Sequence, residues 1–311
     1  MRVLRWGRSA YETEASLALE AAGVRALGAQ WAHEADASTP PSHSADVLVV
    51  NSGVRVSQSV LERVGCGLVL TTTSGTDHID KEACREKKVV MSRCPIARRD
   101  AVVEHAFASM IWLRRKLGWI QQTAEGGTWG RGELPALQPR GITGAKVAVV
   151  GLGVIGKTMA QRLTEWGAEV YGVDPAPLNW DHPVYPLDEA LRHADIVTLH
   201  CALNPQNRQM LNADTLALLR QDALVINTAR GPLLDVTAAA ERVRKGTLGG
   251  MAVDVFPVEP YLNLELLKHP SILLSPHASG YRVDLAQKVC EEVVGTLTAW
   301  ASGTPLPHLV R

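Results

Sequence analysis

The chain has no surplus of charge: its 32 Lys and Arg are matched by 32 Asp and Glu over 311 residues. A neutral balance supplies no global field to draw in nucleic acid or an anionic membrane. Long apolar runs are missing as well. No segment reaches the roughly 18 consecutive apolar residues that span a bilayer. The opening "MRVLRWGRSAYETEASLALEAAG" lacks the uninterrupted apolar core of a secretory signal. Cysteine is sparse: Cys66, Cys84, Cys94, Cys201 and Cys290 are scattered, odd in number and without a CxxC pair. That pattern speaks against a disulfide or zinc framework, and for buried thiols in a cytoplasmic protein without a metal. Internal repeats and low-complexity tracts are also absent.

What is present is ordinary globular composition, 46% apolar and 21% charged, in a chain long enough for two domains. Short apolar runs such as "RVLRW", "DVLVV", "GLVLTT", "KVVMS", "KVAVVG", "EVYGVD", "DIVTLH", "ALVINT", "GGMAVDVF" and "SILLSP" alternate with segments of helical spacing, such as 59–64 and 154–166. Apolar strands separated by helices predict an α/β fold with parallel sheets covered on both faces. "HEADASTPPSHSAD" reads as a surface loop. Residues 101–125 read as one long helix passing between domains, before a Gly- and Pro-rich stretch at 126–144. A last helix, 283–300, is placed to return to the first domain. The expected division is 1–98 with 282–311 as one domain, and 99–281 as a second, inserted domain.

The most informative stretch is "KVAVVGLGVIGKTMAQRLTEWGAEVYGVDP". A strand runs into Gly151-Leu152-Gly153-Val154-Ile155-Gly156, a helix follows, and a second strand ends at Asp174. Gly151 allows the tight turn, Gly153 lets a pyrophosphate approach the backbone, and Gly156 lets helix and strand pack closely. The helix N-terminus presents unpaired N–H groups to the phosphates. A carboxylate at Asp174 accepts hydrogen bonds from the adenosine ribose hydroxyls and repels a 2′-phosphate, which predicts NAD rather than NADP.

Three ionisable residues then follow strand-like runs: Arg230 in "NTARG", Glu259 in "DVFPVEP" and His277 in "SPHASG". Ligands of open parallel sheets lie beyond the carboxyl ends of strands, which gathers these three beside the nicotinamide. Oxidising an alcohol with NAD requires a base for the hydroxyl proton, and histidine suits this near neutral pH. A neighbouring glutamate fixes its tautomer and favours the imidazolium. An arginine holds a carboxylate through two parallel hydrogen bonds while polarising the adjacent carbonyl.

With these residues in view, the sequence resembles the D-isomer-specific 2-hydroxyacid dehydrogenases over almost its whole length. The motifs that carry the resemblance are "SGTDHID", "GLGVIG" with Asp174, "INTARGPLLD", "AVDVFPVEP" and "SPHASG". It implies two doubly wound parallel-sheet domains. A Rossmann NAD domain is inserted in a smaller flavodoxin-like substrate domain, with the active site between them and a homodimeric assembly. It also implies His277 as acid/base, Glu259 as its partner and Arg230 as substrate clamp. The backbone around Ser74, Gly75 and Thr76 would receive the substrate carboxylate, with Ser52 nearby. Asp254 would contact the nicotinamide amide, and Thr228, Ala229, His277 and Gly280 would complete the cofactor set.

The chain departs from the family at "CALNPQN", after His200, and in a short interval from Glu259 to His277. Within the family, "TTTSGTDHID" and "CPIARRDAVVEHA" look most like erythronate-4-phosphate dehydrogenases, although the chain stops soon after its last helix. Arg8, Arg98 and Arg99 are candidates for binding a distal phosphate, phosphonate or carboxylate on the substrate. The alternative function is an NAD-sensing scaffold, as in the C-terminal binding protein corepressors, which share the architecture.

Overall fold

The computed structural model describes residues 1–127, 129–175 and 180–310. Contacts within the chain divide it into two compact units, Met1–Arg98 with Tyr281–Arg311, and Arg99–Gly280.

The first unit is built on five parallel strands: β1 (Arg2–Trp6), β2 (Gln30–Glu34), β3 (Val47–Val50), β4 (Leu68–Thr71) and β5 (Val90–Arg93). Their order, β2-β1-β3-β4-β5, is the flavodoxin-like one, reversing direction between β1 and β3. Because side chains alternate, the apolar runs supply two cores at once. Leu4, Leu48, Val50 and Val69 pack on one face, and Val3, Val47, Val49, Leu68 and Leu70 on the other. The second face is covered by helix Leu285–Ala301 through Leu285, Val289, Val293 and Leu297. That helix lies so close to helix Glu14–Ala26 that a Cβ on Gly23 would sit 2.6 Å from Val294 Cγ2.

One residue of β1 breaks the apolar pattern. Arg5 is 0% exposed, with its guanidinium bound to Glu12 and, at 3.0 Å, to Glu20. Glu12 in turn accepts from the Ser9 amide at 2.7 Å and Glu20 from Trp31 Nε1 at 3.2 Å. A buried charge persists only when paired in this way.

The second unit holds six parallel strands: β6 (Lys146–Val150), β7 (Glu169–Val173), β8 (Ile196–Leu199), β9 (Leu224–Asn227), β10 (Gly250–Val253) and β11 (Ile272–Leu274). They lie in the order β11-β10-β9-β8-β6-β7, with an isolated bridge from Gly172 to Val184 outside β7. This is a Rossmann arrangement whose direction reverses between β6 and β8. Val147, Val149, Ile196, Leu224 and Ile226 face helices Ile96–Arg114 and Val154–Glu165. The opposite core gathers Ala148, Val150, Val197, Leu199, Val225, Met251 and Val253.

Two local expectations fail. The stretch expected as a single helix over 101–125 is two, Ile96–Arg114 and Leu117–Glu125, because Lys116 adopts a left-handed backbone (φ 56°). The loop expected from His33 begins inside β2, an edge strand too polar to show an apolar run.

Candidate active site

The glycine-rich turn between β6 and helix Val154–Glu165 is shaped by contact. A Cβ on Gly151 (φ +94°) would lie 2.5 Å from the Cys201 nitrogen, and one on Gly156 only 1.8 Å from the Gly151 carbonyl oxygen. A Cβ on Gly153 would meet nothing within 4 Å. Two glycines are thus demanded by the protein's own packing. The third keeps open the space at the helix N-terminus, where a pyrophosphate would lie. Val154 and Ile155 begin that helix. Asp174, just past β7, accepts from the Leu152 amide at 2.7 Å, so its carboxylate is held against the turn. At the end of β9 the buried Thr228 hydroxyl has no hydrogen-bond partner among the described residues. These features fit a dinucleotide: an open cradle, a carboxylate beside it and an orphaned buried hydroxyl.

Arg230, Glu259 and His277 come together through their backbones. Asn227, at the end of β9, accepts from the Ala229 amide (3.1 Å) and donates to the Arg230 carbonyl (3.0 Å), which fixes the turn carrying Arg230. The next residue, Gly231, abuts the loop after β10 so closely that a Cβ would lie 1.9 Å from the Phe256 carbonyl carbon. The Phe256 amide donates to Glu259 Oε1 at 3.0 Å, and Glu259 Oε2 lies 2.7 Å from His277 Nδ1. Arginine turn, glutamate loop and histidine therefore form one continuous set of contacts. The pair is accessible, with side chains 37% and 56% exposed for Glu259 and His277.

His277 has a left-handed backbone (φ 55°), and its amide donates to the Asp254 carbonyl at 2.8 Å. The Asp254 carboxylate is buried and accepts from Ser275 Oγ (2.5 Å), the Ala278 amide (2.7 Å) and the Ser279 amide (3.0 Å). Burial raises its pKa, but the bonds from Ser275, Ser279 and Ala278 outweigh that and hold it below the ordinary carboxylate range. Asp254, expected to face the cofactor, thus spends three bonds inside its own unit fixing the loop from His277 to Gly280. His105 reinforces this loop, with Nε2 3.0 Å from Ser275 Oγ.

The expected substrate residues lie in the first unit, past β3 and β4. Ser52 is exposed and Thr76 buried. The carbonyls of Ser74 and Gly75 accept from Arg93 Nη1 (3.0 Å) and Thr73 Oγ1 (2.7 Å). The amides of Ser74, Gly75 and Thr76 donate to no described residue, and the buried Ser74 hydroxyl has no partner there either. The three arginines suggested for a distal anion are engaged elsewhere. Arg8 pairs with Glu14 at 2.5 Å, Arg99 with Asp100 at 2.8 Å, and Arg98 binds the Thr72 carbonyl and the Tyr11 hydroxyl. Asn227, Gly231, Ser275 and His105 escaped the sequence reading. The one available signal was Asn227, a polar residue closing the apolar run "ALVIN".

Residues 107–279 match the model of the D-isomer-specific 2-hydroxyacid dehydrogenase NAD-binding domain, more than half of the chain. The chain belongs to that family. A D-3-phosphoglycerate dehydrogenase of Methanocaldococcus jannaschii is 31% identical over 257 residues, covering 80% of this chain and 48% of the relative. The chain spans about half the length of that relative and of a second D-3-phosphoglycerate dehydrogenase, from Bacillus subtilis. A hydroxypyruvate reductase of Thermotoga maritima is 29% identical, covering 80% of this chain and 82% of its own. Among solved structures, the D-lactate dehydrogenase of Aquifex aeolicus complexed with NAD and lactic acid shares the fold, with a TM-score of 0.80. It is 22% identical, and the match covers 97% of this chain and 96% of that one. Among the described residues no helix is long and apolar enough to cross a membrane.

Proposed function

We propose that this chain is an NAD-dependent dehydrogenase that interconverts a D-2-hydroxy acid and its 2-oxo acid. The observation that carries this reading is the 2.7 Å contact between Glu259 and His277 Nδ1, in contact continuity with the Arg230 turn. With Nδ1 turned to the carboxylate, His277 offers Nε2 to the substrate. In oxidation Nε2 takes the hydroxyl proton as the C2–H bond breaks and the C2–O bond becomes a carbonyl; in reduction Nε2 returns the proton. Glu259 stabilises the imidazolium formed in the first case. Bound NAD supplies the hydride acceptor, held by the Gly153 cradle, Thr228 and Asp174. Arg230 supplies two parallel N–H groups to the substrate carboxylate and its neighbouring oxygen. The free amides of Ser74–Thr76 suit a carboxylate as well.

The ion pairs of Arg8 and Arg99 favour substrates without a distal anion, such as glyoxylate or hydroxypyruvate, because binding one there would break existing pairs. A homodimer in the cytoplasm completes the reading, and light scattering tests the assembly. The deciding experiment follows NADH oxidation across small neutral 2-oxo acids and their phosphorylated analogues. Turnover preferring the small acids is expected. Preference for the phosphorylated ones would overturn the substrate class, and tight NADH binding without any turnover would overturn the dehydrogenase reading in favour of a scaffold.

A further inference from the structure

The sheet of the second unit has a second polar edge. At the amino end of β9, opposite the edge that carries Arg230, lies a cavity of about 100 Å³. Its walls include Arg114, Lys116, Gln138, Arg140 and Asp222. Several waters would fit such a volume, and so would a tetrahedral oxyanion. Arg140 and Gln138 are exposed at its rim, so solvent reaches it.

The charges do not cancel. Asp222 is already bound by Arg140, with Arg220 3.7 Å away, and Arg220 also pairs with Asp195 at 3.2 Å. These two carboxylates offset the two arginines, which leaves Arg114 and Lys116 as surplus. Arg114 is only 8% exposed, and among the described residues its guanidinium makes one hydrogen bond, from Nε to the Gly141 carbonyl at 3.0 Å. Its Nη groups reach no acceptor among the described residues, and neither does the Lys116 ammonium. Burial, then the positive Arg140 and Arg114, hold that ammonium below lysine's ordinary range. Both cations stand at the C-terminal end of helix Ile96–Arg114, where the helix dipole helps to tolerate them.

We propose that this cavity binds a small oxyanion, a phosphate or a compact carboxylate, between Arg114 and Lys116, with the Gln138 amide at its mouth. The anion would complement the surplus positive charge that Asp195 and Asp222 leave among Arg114, Lys116, Arg140 and Arg220, and would accept from Arg114 through two parallel N–H groups. The site is separate from the dinucleotide cradle, because it lies at the opposite ends of the strands.

The test uses protein saturated with NADH, so that the cradle itself cannot take the anion. Thermal midpoints are followed against inorganic phosphate, malonate and chloride at matched ionic strength. A saturable rise with phosphate or malonate, beyond that with chloride, is expected, and the stronger of the two identifies the source of the oxyanion. Lys116→Gln should raise the half-saturating concentration about tenfold, as loss of one charge-assisted hydrogen bond predicts, while leaving turnover without added anion unchanged. An equal response in wild type and Lys116→Gln, or none above chloride, would overturn the proposal. Should that variant fail to fold, calorimetric titration of the NADH-saturated wild type with both anions decides, and absence of binding heat overturns it.

Discussion

Two histidines stand just past strands of the same sheet, His200 after β8 and His277 after β11, and their surroundings separate them. His200 is pushed down to about 4 by burial alone. Its Nε2 lies 2.9 Å from Thr198 Oγ1, and its Nδ1 has no partner among the described residues. Near neutral pH its ring is therefore uncharged. His277 has a carboxylate 2.7 Å from Nδ1 and a side chain 56% exposed. Position past a strand is shared by both; what fits a histidine for proton transfer is a charged partner on one ring nitrogen and access to the other.

The contrast is broken most severely at His277. His277→Asn keeps a residue that tolerates the left-handed backbone, and steady-state kinetics should show turnover lowered by about 10²–10⁴-fold, the worth of a general acid/base. Retained turnover would remove His277 from the reaction.

His200 should instead report on stability. The unfolded chain takes a proton near 6.5 while folded His200 resists until about 4, so acidification through that window favours unfolding. Over the whole window the loss is on the order of 3.5 kcal/mol, at about 1.4 kcal/mol per pKa unit. Urea unfolding of His200→Gln between neutral pH and about 4.5 should lack this slope. A parallel loss in wild type and variant would mean that the ring is not buried neutral in solution. Asp254 acts lower on the scale, since its depressed carboxyl contributes stability that disappears only as pH falls below the ordinary carboxylate range.

Smaller effects sharpen the picture around His277. Glu259→Gln keeps the shape but loses the charge, and turnover should fall about tenfold, the size of one charge-assisted bond. Gly153→Ala meets no protein atom within 4 Å. Its folding should stay within about 1 kcal/mol of wild type, while NADH titration shows weakened binding. Asp174→Asn should narrow the preference for NAD over NADP by a few-fold, measured as the ratio of kcat/KM values; an unchanged ratio would detach Asp174 from cofactor choice.

The glycine turn was legible because Gly151 and Gly156 answer constraints a few residues away or across one strand pair, while Gly153 follows from the spacing between them. The strand order was readable in class from the alternation of apolar runs and helices. β2 was not, since an edge strand with the burial of "QWAHE" carries too little apolar signal. Nor was the break at Lys116, where helical spacing continues through a residue whose backbone turns left-handed. Among the catalytic candidates, Arg230, Glu259 and His277 stood out by residue type and placement after strands. Of the residues that hold them, Gly231, Ser275 and His105 have no distinctive pattern until their partners are known, and Asn227 shows only as a polar residue closing an apolar run.

The sequence by itself determined the α/β class, the dinucleotide turn and the residue types available for proton transfer and carboxylate binding, since these follow from local periodicity and side-chain chemistry. Tertiary structure alone decided which histidine is buried and which meets a carboxylate, that Arg8 and Arg99 already pair with carboxylates, and that Arg114 and Lys116 share a cavity with more positive than negative charge. Burial and pairing arise between segments far apart in the chain, and no local pattern encodes them.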